Sequence, residues 1–180
     1  MSTKYKVHNH HLPHFITSTV VGWADALSRE EYKEIILDSL RHCQQHKNLQ
    51  IHAWVIMNNH LHLIVTGENL PAIIRDFKKF TSRKIIEAIT NNPQESRKAW
   101  LINMFRFAGT HNNNNDTYQF WQQEYHPIEL DTTQKYDQRL HYLHENPVRA
   151  GIVWDAPSYK YSSAIDYYEQ KQGLLTVNIL

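Results

Sequence analysis

The stretch Ile51-His52-Ala53-Trp54-Val55-Ile56-Met57-Asn58-Asn59-His60-Leu61-His62-Leu63-Ile64-Val65 decides the fold. It contains two segments rich in β-branched and aromatic residues, with an Asn-Asn pair between them. Two such segments joined by turn-forming residues are typical of a β-hairpin. Side chains alternate between the two faces of a strand. The second strand therefore presents Leu61, Leu63 and Val65 to a core and holds His60 and His62 on its opposite face.

The two histidines share one strand face at a spacing suited to one divalent metal ion. A His-X-His pattern is short, and two polar positions on a solvated strand face would look the same. A second stretch, Tyr142-Leu143-His144-Glu145-Asn146-Pro147, favours the metal site. Asn146 follows Tyr142 by four residues, so a helix projects the phenol and the amide from one face. We expect that helix face to lie against His60 and His62.

The composition is that of a globular protein, with 180 residues, 41% hydrophobic and 21% charged residues, and a formal net charge of +1. No apolar run approaches the roughly 20 residues that span a bilayer, and no apolar signal segment is visible, so we expect no membrane association. The single cysteine, Cys43, permits no intrachain disulfide and fits a reducing cytoplasm. No GxxxxGK[ST] or GxGxxG motif occurs, which argues against a reaction driven by bound ATP or NAD.

We interpret residues 1–180 as one domain, with a flexible arm at 1–12, a mobile loop at 109–117 and a tail at 171–180. Local signals predict the other elements. They predict a strand at 15–21 and β character at 118–123. A capping box of Ser28 and Glu31 opens one helix, and Asp131 with Gln134 caps another that ends or kinks at Pro147. A last helix is expected at 161–168.

A helix beginning at Asn69 or Leu70 is expected to carry a basic face. Arg75, Lys79 and Arg83 recur at i, i+4 and i+8, and Lys78 and Lys84 lie alongside them. The interval 71–110 holds eight Lys or Arg against three Asp or Glu, a local net charge of +5. This pattern fits either the ordinary polar face of an amphipathic helix or a surface that follows a phosphate backbone.

The chemistry of the two stretches points to phosphate. A tyrosine is a poor nucleophile unless its target is activated. Two imidazoles leave a divalent metal with open positions for substrate oxygens, and such a metal makes a phosphate a better electrophile. The pattern therefore indicates a nuclease that forms a covalent phosphotyrosine bond. Since protonated imidazoles cannot bind metal, we expect cleavage to fall as the pH drops through about 6.5.

Several motifs resemble a known family. Asn59-His60-Leu61-His62, followed by a long basic helix, resembles the His-hydrophobic-His motif of single-tyrosine HUH transposases. The segment from Tyr142 to Val153, together with Tyr161-Ser162-Ser163, is similar to the REP-associated tyrosine transposase branch. Phe120-Trp121-Gln122 and the segment 126–130 are also similar to that branch. The resemblance extends from about residue 12 to about residue 175.

The resemblance implies an α/β sandwich with a central antiparallel sheet, ferredoxin- or RRM-like, and helices packed on it. It implies metal ligation by His60 and His62, with Tyr142 as nucleophile and Mg²⁺ or Mn²⁺ as cofactor. Asn146 stands where insertion-sequence relatives place a glutamine ligand. The implied activity is cleavage and rejoining of single-stranded, hairpin-containing DNA through a 5′-phosphotyrosine, at the nucleoid in the cytoplasm. The DNA-binding residues expected in this scheme are Arg75, Lys78, Lys79, Arg83, Lys84, Trp121 and Arg149.

Two other function classes stay open from the sequence. One is a metal-dependent hydrolase of a small phosphoester that uses His60, His62 and His126. The other is a DNA-binding protein, domesticated from a transposase, that has no catalytic activity. The sequence also leaves open whether the site is completed within one chain or across a homodimer.

Overall fold

The computed structural model describes residues 11–111, 117–123 and 126–180. Four strands form one antiparallel sheet in the order β2-β3-β1-β4. Because β3 lies between β1 and β2 and a helix connects those two strands, the arrangement is the split βαβ of ferredoxin-like folds. The strands are β1 (His14–Thr19), β2 (Gln50–Ile56), β3 (His60–Thr66) and β4 (Ile128–Glu129).

Helices connect and flank the strands and complete the sandwich. They are α1 (Glu30–Lys47), α2 (Leu70–Asn91), α3 (Lys98–Thr110), α4 (Thr133–Arg149) and the short α5 (Ala164–Tyr168). In the described part of the chain, no helix combines the length and the apolar character that crossing a bilayer requires.

The hairpin of β2 and β3 forms as the sequence predicts. Asn58 and Asn59 connect the strands, and the N–H of Met57 donates to the carbonyl of His60 at 2.8 Å. On β3, Leu61, Leu63 and Val65 are all at least 99% buried. In the register with β1, Thr17 lies opposite His62 and Thr19 opposite His60.

Helices cover both faces of the sheet. α1 and α2 pack against each other and share the hydrophobic core with the leucine face of β3. The predicted buried stripe of α2 is present, with Ile73, Ile74, Phe77, Thr81, Ile85 and Ile89 all buried. α4 packs against β2 and β3 on the histidine face. The predicted α/β sandwich is therefore confirmed.

The N-terminal cap of α1 differs from the predicted capping box. α1 begins at Glu30 with Arg29 at the N-cap, and no side chain accepts a hydrogen bond there. The hydroxyl of Ser28 instead accepts from the guanidinium of Arg97 at 2.9 Å. This long-range bond to the segment before α3 replaces the local cap.

The two ends of α4 also differ from expectation. Thr132, not Asp131, is the N-cap, and its side chain accepts from the N–H of Lys135. Asp131 instead forms an ion pair with the Lys135 ammonium at 2.7 Å. Pro147 does not end the helix but lies within its last turn. The chain leaves the helix at Gly151, whose φ of 68° is readily adopted only without a Cβ.

The C-terminal residues are more structured than the predicted helix and tail. Residues 161–163 lie along the free edge of β2, where Ser162 forms a β-bridge with Val55, and only 164–168 are helical. The N–H of Asn178 donates to the carbonyl of Ile51 at 2.8 Å, and Leu175 is buried. The tail is therefore attached to β2.

The segment 118–123 has less β structure than predicted. Trp121 forms an isolated β-bridge with Val20, and the fourth strand comes later, at Ile128–Glu129, paired with β1. Residues 1–10 of the predicted arm and 112–116 of the predicted loop lie outside the described residues. The proposed domain organisation stays a prediction.

Candidate active site

Two imidazoles lie next to each other at the start of β3. Because β3 alternates its side chains, His60 and His62 both point away from the leucine core. Their ring centroids are 4.7 Å apart and the ring planes are inclined by 67°. His62 is buried, whereas His60 is half-buried and faces the more open end of the strand. The predicted pair is therefore present on one side of the sheet.

Each imidazole is oriented by a hydrogen bond at Nδ1. The Nδ1 of His60 lies 2.6 Å from the Oδ1 of Asn59, an amide oxygen that can only accept. The Nδ1 of His62 lies 2.8 Å from the hydroxyl of Thr17 on β1. When both Nδ1 atoms carry the proton, both Nε2 lone pairs are free to bind a metal.

Burial favours the neutral form of both imidazoles. It lowers the pKa of His60, and a hydrogen bond with Asn146 opposes part of that shift. Burial lowers the pKa of His62 to about 3, and the charges of His60 and Arg139 add to the effect. These lowered pKa values argue for a fall in cleavage at a pH below the 6.5 expected from the sequence.

Tyr142 reaches the histidines from α4 of the same chain. Its ring centroid lies 5.5 Å from that of His62 and 6.1 Å from that of Phe15. One turn further along α4, the Asn146 side chain lies near enough to His60 to raise its pKa. A single chain thus brings together the four residues on which the predicted site depends, with no need for a second copy.

Two arginines flank Tyr142 on α4. The Arg149 guanidinium carbon lies 5.3 Å from the centroid of the Tyr142 ring. That of Arg139 lies 5.3 Å from the centroid of Phe15. The sequence predicted a DNA-binding role for Arg149 but not for Arg139, which lies on the same helix. The signal was available, because Arg139 precedes Tyr142 by three residues and so shares its helix face.

The donor atoms fit a divalent metal with open positions. Two imidazoles with oriented Nδ1 atoms and one amide oxygen provide neutral ligands and leave the charge of the ion for an anionic substrate. No group of three or more His, Cys, Asp or Glu side chains able to hold a metal occurs within 11–111, 117–123 and 126–180. His126 is therefore not grouped with His60 and His62, which argues against the hydrolase alternative.

The basic face of α2 borders a second feature, a cleft of about 1040 Å³. The opposite wall of the cleft is the segment 118–123. Arg75, Lys79 and Arg83 are exposed along it. The helix face predicted to follow a phosphate backbone therefore forms one wall of a concave surface.

Several of the predicted cations of α2 have partners within the protein, including the exposed Arg75, whose guanidinium pairs with Asp76 at 3.1 Å. The Lys78 ammonium donates to the carbonyl of Gln122 at 2.7 Å, and burial lowers its pKa to about 8. Lys84 forms an ion pair with Glu87 at 3.0 Å. Lys78 thus connects the two walls of the cleft, which leaves it less available for a ligand than its exposed neighbours.

Trp121 belongs to the wall of the cleft but is almost fully buried in the core. Only 4% of its side chain is exposed, and its indole N–H donates to the hydroxyl of Thr81 at 2.9 Å. The neighbouring Phe120 packs against it edge to face. This burial argues against the base-stacking role expected for Trp121, because a base could reach the ring only by displacing its neighbours.

Comparisons with known proteins identify the family and the fold. Residues 10–110 match the family described as "Transposase IS200 like". The fold is similar to that of a REP-associated tyrosine transposase solved with a bound REP hairpin, with a TM-score of 0.66 and 16% identity over 100% of this chain and 94% of that one. A putative transposase from Deinococcus radiodurans aligns with a TM-score of 0.45 and 14% identity over 78% of this chain and 95% of that one. No curated protein sequence matches significantly.

The family assignment rests on the extent of the match. The matched interval 10–110 contains β1, α1, the histidine hairpin, the basic helix and α3. It is more than half of the 180 residues. The chain therefore belongs to the IS200-like transposase family.

Proposed function

We propose that this protein is a single-tyrosine DNA nicking and joining enzyme of the REP-associated branch, acting on single-stranded DNA that contains hairpins. The observation that carries the proposal is the position of Tyr142, with its ring 5.5 Å from that of His62, on the helix face that also carries Asn146. A phenol beside two neutral imidazoles fits phosphotyrosine chemistry. The fold-level likeness to a transposase with a bound REP hairpin supports hairpin DNA as the substrate.

In the proposed reaction Tyr142 acts as the nucleophile. Its phenolic oxygen forms a bond to phosphorus, and the bond between phosphorus and the 3′ oxygen breaks. The phenol gives up its proton and the departing 3′ oxygen gains one. The product is a 5′-phosphotyrosine and a free 3′-OH, and attack by another 3′-OH reverses the step. Bond energy is retained throughout, which fits the lack of a nucleotide-binding motif.

The residues that would hold a divalent ion, Mg²⁺ or Mn²⁺, are His60, His62 and Asn146. When bound, such an ion would neutralise the scissile phosphate and make it more electrophilic. The chain contributes orientation through Asn59 and Thr17, which fix the two imidazoles. It also contributes positive charge, since Arg149 lies over the Tyr142 ring, where a bound phosphate would be attracted.

The basic cleft and the histidine pair lie close enough to share one DNA molecule. On the cleft side, the N–H of Gln122 donates to the carbonyl of Thr19 at 2.7 Å. On the other side Thr19 pairs with His60. Gln122 and His60 are thus separated by two strand spacings, about 10 Å. A strand whose hairpin contacts Arg75, Lys79 and Arg83 can reach the active site around this edge of the sheet.

The domesticated, non-catalytic alternative predicts the same DNA binding without chemistry. Mass spectrometry separates the two proposals. The protein is incubated with a single-stranded hairpin oligonucleotide and Mn²⁺, digested, and searched for a tyrosine peptide carrying nucleotide mass. We expect the adduct on Tyr142, and no adduct in Tyr142→Phe, which keeps the ring and removes one hydroxyl.

The oligonucleotide should be bound equally by both variants, which serves as the control for folding. DNA binding without any adduct would support the domesticated alternative. An adduct that persists in Tyr142→Phe would contradict the assignment of the nucleophile.

A further inference from the structure

We propose that Trp23 is a stacking platform for the nucleobase next to the scissile phosphate. The proposal rests on the proposed function and adds the residue that holds a base at that site. The Trp23 side chain is 61% exposed, although it lies beside the candidate active site. Its ring centroid is 6.0 Å from that of His60, and the two rings meet at 65°.

The backbone presents Trp23 in a conformation that bulky residues rarely adopt. Trp23 has a φ of 55°, directly after Gly22 at 63°. Gly22 lies tightly against α3, because a Cβ there would meet the Sδ of Met104 at 3.0 Å. The N–H of Trp23 donates to the carbonyl of Val20 at 3.1 Å and closes the turn. Packing and hydrogen bonding thus hold a large exposed ring in a strained position, as is common at ligand sites.

Asn59 connects this ring to the histidine pair. Its amide nitrogen donates to the carbonyl of Trp23 at 3.3 Å, and its amide oxygen lies 2.6 Å from the Nδ1 of His60. One side chain therefore fixes the turn that carries the indole and the imidazole that faces the phosphate. This linkage keeps a stacked base and a bound phosphate at a constant separation.

The proximity of Trp23 to His60 identifies the ligand as a base rather than a distant part of the DNA. Each strand of a stacked duplex carries one phosphate per about 3.4 Å of helix axis, so a ring 6.0 Å from His60 lies within a nucleotide or two of a phosphate held there. Single-strand binders stack bases on exposed aromatic rings without needing a particular sequence. Trp121, the platform expected from the sequence, is buried and cannot take this role.

The test is a scan with abasic sites. Hairpin oligonucleotides carry one abasic nucleotide at successive positions flanking the cleavage point. Affinity is measured by fluorescence anisotropy in the Tyr142→Phe background, and adduct yield is measured with Tyr142 intact. We expect Trp23→Ala to weaken binding of the intact oligonucleotide about 5- to 150-fold, the range of one base–aromatic stack. One abasic position should weaken binding to the protein that retains Trp23 by a similar factor. The same position should have no further effect on binding to the Trp23→Ala variant.

Two matched variants sharpen the result. Trp23→Phe keeps an aromatic ring and should restore most of the affinity. Trp154→Ala removes a tryptophan that is 99% exposed in the loop after α4, and it should bind and cleave like the wild type.

Failure of the stacking proposal and failure of the proposed function would give different results. If the wild type forms the adduct but the losses from Trp23→Ala and from every abasic position simply multiply, the stacking proposal is wrong and the proposed function stands. A wild type that neither binds nor cleaves the intact oligonucleotide overturns both.

Discussion

The hydroxyl of Thr17 lies 2.8 Å from the Nδ1 of His62, at a position where β1 and β3 place the two residues directly opposite each other. Cross-strand pairing thus sets the orientation of an imidazole that the core buries almost completely. We predict that Thr17→Val, which keeps the shape and removes the hydroxyl, lowers Mn²⁺ affinity about 10- to 100-fold, as for other outer partners of metal-binding histidines. Calorimetric titration with Mn²⁺ measures this change in affinity.

Thr17→Ser retains the hydroxyl and is the control for this effect. It should bind Mn²⁺ nearly as well as the wild type. Equal affinity of the Val and wild-type proteins would show that the Thr17 hydroxyl does not orient the ligand.

The histidines and Asn146 should differ in importance. His62→Ala removes a proposed ligand that nothing nearby can replace, so we expect loss of adduct formation at any Mn²⁺ concentration. Asn146→Ala should be milder and should be partly restored by more Mn²⁺, because water can replace a neutral amide oxygen. Adduct yield across a Mn²⁺ series distinguishes the two. An Asn146→Ala variant as inactive as His62→Ala would give the amide a role beyond that of a replaceable ligand.

The exposed cations of α2 should act through charge. The triple change of Arg75, Lys79 and Arg83 to Ala should weaken hairpin binding similarly for all sequences. It should also reduce the slope of log K against log salt by about 0.7 for each phosphate of a single strand that these side chains neutralise. Anisotropy titrations over a salt series provide both quantities. Lys171→Ala removes an exposed charge of the tail and is the control. An unchanged slope in the triple variant would show that the basic face of α2 is an ordinary solvated face.

The pH dependence of cleavage should reflect the shielded imidazoles. Because burial lowers the pKa of both His60 and His62 below the ordinary 6.5, their protonation requires a lower pH than that of a free imidazole. We expect adduct formation at saturating Mn²⁺ to change little between pH 7.5 and about pH 6.5 and to decline only at lower pH. Quenched time courses across this range test the expectation. A midpoint at or above 6.5 would indicate that burial has not lowered the His60 pKa.

His144 should give the folded state a distinct pH dependence. It is fully buried, its Nε2 lies 2.9 Å from the hydroxyl of Ser163, and burial lowers its pKa to about 4. Between that value and about 6.5 the unfolded chain binds a proton that the folded chain does not. Its contribution to stability is therefore complete above pH 6.5 and is lost as the pH falls toward 4, by up to about 3 kcal/mol.

Urea unfolding of the wild type and His144→Gln at a series of pH values measures this contribution. The variant should be less stable at neutral pH and should lose less stability on acidification. Parallel pH curves for the two proteins would assign the acid sensitivity to other groups.

The sequence predicted those parts of the site that depend on local periodicity. Period two on β3 placed His60 and His62 on one face, and the four-residue spacing on α4 placed Tyr142 beside Asn146. The predictions that were wrong, or that burial now opposes, concern side chains whose partners are distant in sequence. Trp121 is held in the core by Thr81 of α2, whose hydroxyl accepts the indole N–H, and the sequence does not show that contact.

The same reason explains what the sequence could not predict. The Ser28 hydroxyl accepts a hydrogen bond from the guanidinium of Arg97, 69 residues away in sequence, instead of capping its own helix. The role proposed for Trp23 depends on a turn held by Met104 of α3 and on the side chain of Asn59. Neither propensity nor spacing reports such contacts, because they form only after the helices have packed on the sheet.

The attachment of residues 161–163 and Asn178 along β2 limits how copies of this protein can associate. The outward backbone groups of β2 are already used: the N–H of Ile56 donates to Tyr161, the carbonyl of Trp54 accepts from Ser163, and that of Ile51 accepts from Asn178. Two copies therefore cannot merge their sheets through β2 while these segments stay in place. Truncation before Tyr161 would leave an unpaired strand edge, a template for aggregation. The C-terminal segment thus protects the strand on which α4 and its tyrosine rest.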